Sequence, residues 1–293
     1  MTKMIVVLLA LAFFSGCAGV DRAFYHPDRK VYGTPARDGL RYEEVRFPSA
    51  DGTMLSGWFI PATTPALGTV IHFHGNAQNM TSHYSFVSWL PRNGFNLFVF
   101  DYRGYGSSDG TPTREGVYQD SVAAIRCVRA RGDIDRDKII VMGQSLGGAN
   151  AIAVVGRNRF DGIVGVVIDS AFSSYEEVGK NHVGLLLKPL AGSLLSNAYS
   201  PIDFVAEISP IPLIIIHGTA DRVVPYYHGK RLHEKAKAPK ELWTVKTGRH
   251  TEAFSRYRRE MIPRLLKRFQ TWVAARTVRQ TRPPAAATIE SGR

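Results

Sequence analysis

A hydroxyl acts as a nucleophile at neutral pH only when a base stands ready to take its proton. The base in turn needs a partner that fixes its orientation. In this 293-residue chain the run Gly143-Gln144-Ser145-Leu146-Gly147 offers such a hydroxyl. It follows the apolar run 139–142 and precedes the small residues Gly147-Gly148-Ala149. Ser145 is therefore expected on a sharp strand-to-helix turn, where flanking glycines leave room for a strained backbone. A helix starting there also favours negative charge beside its N-terminus. His250, in Thr247-Gly248-Arg249-His250-Thr251-Glu252, is the candidate base, since Gly248 lets its loop turn back towards Ser145. Two carboxylates compete to orient it. Asp221 follows the strand-like run 212–217, and Asp169 ends the run 164–168. Both fall at the carboxyl end of a strand, where open α/β sheets build their sites. The order serine, acid, histidine suits a nucleophile on such a turn, and the chemistry it would support is acyl transfer. The bland alternatives are an Asp221 paired with Arg222 at the surface and a loop histidine without a role.

Other chemistry-bearing residues compete poorly. His72 and His74 share a face of a strand and its end, but nothing near them continues a metal-ligand pattern. His217, at a strand end, is expected to support a loop, and His182, His228 and His233 have no spacing that argues a role. Arg103-Gly104-Tyr105-Gly106 lacks the spacing and the following lysine of a phosphate cradle and is expected to shape the floor of the site. Neither a metal nor an organic cofactor is expected, because a serine, a base and an acid suffice for acyl transfer.

The elements that must position these residues are short and apolar. Runs at 69–73, 97–100, 139–142, 164–168 and 213–216 have few polar residues, as strands covered on both faces do. Helix-length segments at 84–93, 114–131 and 146–157 alternate with them, and a strand at 242–245 and a helix at 256–277 follow. This alternation is the mark of an α/β doubly wound sheet. Residues 41–47 and 53–60, joined through Asp51-Gly52, read as an antiparallel hairpin in front of it. Residues 170–203 break the alternation as an apolar helical insertion interrupted by Pro189 and Gly192, either a lid over the site or plain cover for the sheet. Residues 278–293 read as a disordered tail.

Four motifs occur together: His72-Phe73-His74-Gly75-Asn76-Ala77, Asp101-Tyr102-Arg103-Gly104-Tyr105-Gly106-Ser107-Ser108, Gly143-Gln144-Ser145-Leu146-Gly147-Gly148 and His217-Gly218-Thr219-Ala220-Asp221. In this order they resemble the α/β-hydrolase branch that includes Bem46-like proteins and related depalmitoylating thioesterases. The resemblance spans residues 41–277. It implies an α/β-hydrolase fold with a mostly parallel eight-stranded sheet and helices on both faces. It also implies Asp221 rather than Asp169 as the acid, and the backbone N–H groups of Asn76 and Leu146 as oxyanion donors. Where the branch often carries Gly-x-Gly-His around the base, Arg249 stands in place of the second glycine. The expected reaction is hydrolysis of an ester or thioester of an acyl or lipid-like substrate. A serine peptidase of the same fold and a non-catalytic lipoprotein scaffold are the alternatives.

The ends and the charge bear on location. Lys3 precedes an uncharged apolar run at 4–14, which suits a signal-peptide core and falls short of a spanning helix of about 20 residues. Phe14-Ser15-Gly16-Cys17, followed by Ala18, resembles a bacterial lipobox in which Cys17 is lipidated. Residues 1–16 are then a lipoprotein signal peptide and 17–40 a tether and lead-in. The protein is expected to be exported and membrane-anchored, at the outer membrane where the organism has one. Plain secretion and a retained anchor are the alternatives. Acylation of Cys17 would leave Cys127 without a partner, as a small core residue in a helix. The 37 Lys and Arg against 25 Asp and Glu give a formal charge of +12, which favours anionic surfaces or simply a solvated basic exterior. Nucleic acid is not expected as a partner, since no interleaved basic-aromatic motif or zinc-finger spacing occurs.

Overall fold

The computed structural model describes residues 24–182 and 197–281. Its central sheet contains β1 (Glu43–Pro48), β2 (Met54–Ile60), β3 (Gly68–Phe73), β4 (Phe95–Asp101), β5 (Ile139–Gln144), β6 (Ile163–Asp169), β7 (Leu213–Gly218) and β8 (Lys240–Val245). The spatial order is β8-β7-β6-β5-β3-β4-β2-β1. The six strands from β3 to β8 run parallel. β2 runs antiparallel to β4, and β1 pairs antiparallel with β2 from Glu43 opposite Phe59 to Pro48 opposite Met54. The expected hairpin and mostly parallel eight-stranded sheet are both present.

The unbroken apolar runs have a direct structural cause. Successive side chains point to opposite faces of a strand, and here each face meets its own core. In β4, Phe98 and Phe100 enter one core while Leu97 and Val99 enter the other. Val141 and Ile215 join the first, and Ile140, Met142, Ile214 and Ile216 the second. The first core is covered by α1 (Arg114–Arg129), α2 (Leu146–Asn158), α3 (Tyr175–His182) and α4 (Tyr227–Lys235). The second is covered by α5 (Arg258–Thr281) and by residues around Met80, Tyr84, Trp89 and Leu90. α5 buries Met261, Leu265, Phe269 and Val273, a stripe at four-residue spacing.

Three segments differ from their expected form. Residues 84–93 form separate 3₁₀ turns, Tyr84–Phe86 and Pro91–Asn93, rather than one helix. There the Ser85 hydroxyl donates to the Ser82 carbonyl at 2.9 Å and the Trp89 indole to the Phe86 carbonyl at 2.8 Å, so side chains compete for the acceptors a helix would use. α5 continues to Thr281, four residues into the stretch read as tail. Residues 24–40 are docked on the domain, with Tyr25, Pro35 and Leu40 buried, rather than serving as free tether. The insertion is described at α3 and again from Asn197 onward, and its most apolar part, 183–196, lies outside the described residues.

β3 sits between β4 on one side and β5 on the other. The chain leaves β3 in one direction and returns in the other, so the loops after β3 and β5 part and open a crevice at their carboxyl ends. The candidate site occupies that crevice.

Candidate active site

Ser145 lies between the last residue of β5 and the first of α2, with φ 50° and ψ −118°. That backbone is strained for a residue with a side chain. It is held by the Ser145 N–H, which donates to the Asp169 carbonyl of the neighbouring strand end at 2.8 Å. The glycines around it answer to contacts. A Cβ on Gly143 would stand 2.5 Å from the Gly147 carbonyl oxygen, so β5 and α2 cross too closely for any side chain there. A Cβ on Gly147 would stand 2.1 Å from the Phe73 carbonyl oxygen. Bare backbone therefore brings the start of α2 against the loop that leaves β3.

Two further loops bring in the histidine and the acid. β7 and β8 are parallel neighbours in register from Leu213 opposite Lys240 to Gly218 opposite Val245. Their following loops are joined by the Ala220 N–H, which donates to the Gly248 carbonyl at 2.9 Å. His250 Nε2 then stands 3.0 Å from Ser145 Oγ, and His250 Nδ1 stands 2.7 Å from Asp221 Oδ2. The Asp221 carboxylate is fully buried, while the imidazole is 20% exposed. Because an ionised carboxylate only accepts, Nδ1 carries the proton and the Nε2 lone pair faces the serine hydroxyl. The other carboxylate oxygen, Oδ1, accepts from the Val223 and Val224 N–H groups, each at 2.9 Å. Burial pushes the Asp221 carboxyl up. The hydrogen bond and charge of His250, the Val224 N–H and His217 outweigh it, and the group stays below the ordinary aspartate range.

Asp169, the rival acid, is equally buried but faces elsewhere. Its Oδ1 accepts from the Ser170 hydroxyl at 3.0 Å, and its Oδ2 has no hydrogen-bond partner among the described residues. Burial raises it to about 6, partly offset by Ser170 and by the His250 charge. The geometry therefore pairs Asp221, not Asp169, with His250.

Three other histidines hold parts of the surroundings in place. His217 Nε2 donates to the Val224 carbonyl at 2.8 Å, bracing the loop that carries Asp221. His228, for which spacing argued no role, accepts the Ser173 N–H at 3.1 Å, and burial lowers it to about 4. His72 Nε2 meets the Gln144 side-chain oxygen at 3.2 Å beneath the serine. Arg103 is buried and pairs with Asp120 at 2.8 Å and with Asp51 at 2.7 Å, tying the loop after β4 to α1 and to the hairpin turn. Cys127 lies half-buried in α1, where burial pushes its thiol up.

The loop after β3 turns at His74-Gly75-Asn76 beside the start of α2. The Asn76 N–H donates to no group among the described residues. The Leu146 N–H, first in its helix, has no intrahelical acceptor. A hydroxyl polarised by His250 can carry out nucleophilic acyl transfer. Cys17 lies outside the described residues. Among the described residues no helix is long and apolar enough to cross a membrane, and no group of three or more His, Cys, Asp or Glu is placed to hold a metal ion.

Known proteins share this plan. A family model described as serine aminopeptidase, S33, matches residues 64–202. The Escherichia coli (strain K12) protein YfhR, itself uncharacterised, is 44% identical over 252 residues, which is 83% of this chain and 86% of its own. The α/β-hydrolase domain-containing protein WAV2 of Arabidopsis thaliana is 33% identical over 217 residues, 70% of each chain. Protein bem46 of Schizosaccharomyces pombe is 28% identical over 238 residues, 77% of each chain. An esterase from Pyrococcus furiosus has the same fold, with a TM-score of 0.71 at 22% identity across 85% of this chain and 98% of its own. The chain belongs to the α/β-hydrolase family, in its Bem46-like branch.

Proposed function

We propose that this protein is a serine hydrolase that cleaves an ester or thioester of an acyl or lipid-like substrate. The observation that carries this reading is the unbroken line from Ser145 Oγ through His250 to Asp221, with links of 3.0 and 2.7 Å. His250 Nε2 takes the hydroxyl proton as Ser145 Oγ bonds to the substrate carbonyl carbon. The carbonyl oxygen becomes an oxyanion beside the N–H groups of Asn76 and Leu146, each such donor stabilising the transition state by about 3 kcal/mol. Asp221 holds the imidazole in the required tautomer and stabilises the imidazolium. His250 then passes its proton to the leaving alcohol or thiol, and the C–O or C–S bond breaks to leave an acyl-serine. Water, deprotonated by the same nitrogen, attacks the acyl-serine and releases the acid.

In this reading the enzyme is exported and tethered through a lipidated Cys17. Six residues lie between Cys17 and Phe24, so the seven steps from one to the other reach at most about 25 Å. A tether that short keeps the crevice near the bilayer, where lipid-like acyl groups are concentrated.

The test is labelling with a fluorophosphonate together with turnover of p-nitrophenyl and thioester substrates of graded chain length. Wild type is expected to label and turn over, and Ser145→Ala to lose the label and about 10⁴-fold or more of the rate. Labelling that persists in Ser145→Ala would sink the mechanism. The description of the matching family model favours a second reading, a serine peptidase acting through the same residues. Faster release from aminoacyl amides than from acyl esters would select it.

A further inference from the structure

The peptide plane that presents the Asn76 N–H has Gly75 C=O on its other edge. The Gly75 oxygen accepts from His74 Nδ1 at 2.7 Å. The next plane, which begins at Asn76 C=O, is held twice. Tyr105 Oη donates to that oxygen at 2.7 Å, and the His26 N–H donates to it at 2.9 Å. With both flanking planes pinned, the torsions at Asn76 have little freedom and the direction of its N–H is set.

The His26 bond comes from the N-terminal segment that was expected to be tether. His26–Pro27 forms a two-residue parallel strand with Ala77–Gln78. The Asp28 N–H donates to the Gln78 carbonyl at 3.2 Å, supporting a residue with φ 64°. The Asp28 carbonyl in turn accepts the Gly106 N–H at 2.9 Å, and the Asn79 amide donates to Asp28 Oδ1 at 2.7 Å and to the Lys30 carbonyl at 2.8 Å. The segment thus links the loop after β3 to the loop after β4. Tyr25 beneath it is buried, so the attachment is packed as well as hydrogen-bonded.

We propose that the N-terminal segment is a working part of the active site: His26, through its backbone N–H and together with Tyr105 and His74, is a positioning residue that aims the Asn76 N–H at the oxyanion. The proposal rests on the serine-hydrolase reading, in which Asn76 is an oxyanion donor. A donor bond that matters most to the oxyanion strengthens in the transition state, so misaiming it lowers kcat more than it raises KM.

Proline and alanine at position 26 isolate the bond, since both remove the exposed imidazole and only proline removes the N–H. Proline also suits the extended backbone ahead of Pro27. With a short-chain p-nitrophenyl ester and full-length protein, kcat of His26→Pro is expected about tenfold or more below that of His26→Ala, with KM within about twofold. Affinity for a trifluoromethyl ketone, whose serine adduct carries an oxyanion, is expected to fall in step with kcat. Tyr105→Phe, which removes the other bond to the same carbonyl, is expected to show the same split and serves if His26→Pro fails to fold. Equal kcat in the two position-26 variants, or a loss confined to KM or thermal stability, overturns the proposal, as does an unchanged kcat in Tyr105→Phe. If Ser145-dependent labelling and turnover are intact in wild type, such a result removes the positioning role alone. If wild type shows neither, the serine-hydrolase reading falls and this proposal with it.

Discussion

Two buried carboxyl groups stand at neighbouring strand ends, and only Asp221 meets the His250 imidazole. Asp221 receives His250 Nδ1 and two backbone N–H groups. Asp169 receives a single hydroxyl on one oxygen and none on the other among the described residues. That difference has a consequence for stability. Burial raises Asp169 from 3.8 to about 6, so the folded state holds this proton more tightly than the unfolded chain does. Its contribution is therefore most favourable at pH 4 and below, declines as pH rises from about 4 to 6, and is flat beyond. The full cost of ionising it in place is about 3 kcal/mol, at 1.36 kcal/mol per pK unit. Asp169→Asn abolishes that titration. Denaturant unfolding is expected to show the variant gaining up to about 3 kcal/mol relative to wild type between pH 4 and pH 8. A difference that does not change with pH would refute the account.

At the scale of elements, strand position was legible because both faces of the sheet are covered, which demands uninterrupted apolar runs. Helix position was legible where one stripe of a segment meets a core, as in α5. Segment 84–93 has enough apolar residues for a helix, yet hydroxyl and indole groups that donate to carbonyls three residues back divide it into turns. The sequence sets no bounds for helix α4 (Tyr227–Lys235), because it buries little apolar surface, chiefly Leu232 beside His228. The α5 stripe carries its own prediction. Phe269 is fully buried and stacks edge-on with Phe95 at 5.4 Å between ring centres. Phe269→Ala is expected to cost about 3–5 kcal/mol in equilibrium unfolding, because the facing strand cannot move to fill the void. A loss below about 1 kcal/mol would mean that α5 contributes little to holding the sheet.

At the scale of the whole molecule, the proposed reading joins an α/β-hydrolase domain to a lipidated N-terminus. The domain begins by Phe24, not near residue 41, because residues 24–40 are docked against it. In the proposed lipoprotein the anchor is therefore short. Cys17→Ser is expected to move the protein from the membrane fraction to the soluble exported fraction and to abolish metabolic labelling with palmitate, while the specific activity of the released protein towards a soluble ester stays at the wild-type level. Wild-type protein that takes up no palmitate and already fractionates as soluble would exclude the anchor.

The sequence by itself identified Ser145, His250 and two candidate acids, because a nucleophile on a strand-to-helix turn needs small neighbours and two-sided strands need apolar ones. Those are local demands, written in residue types. Residue types and spacing left two acids, and the family resemblance favoured Asp221. The tertiary structure shows the Asp221 carboxylate at His250, since that contact depends on the direction each loop takes after leaving β6 or β7. It alone brought His26 to the Asn76 carbonyl. A backbone N–H is present at almost every residue, so a contact made by one leaves no mark in the pattern of side chains.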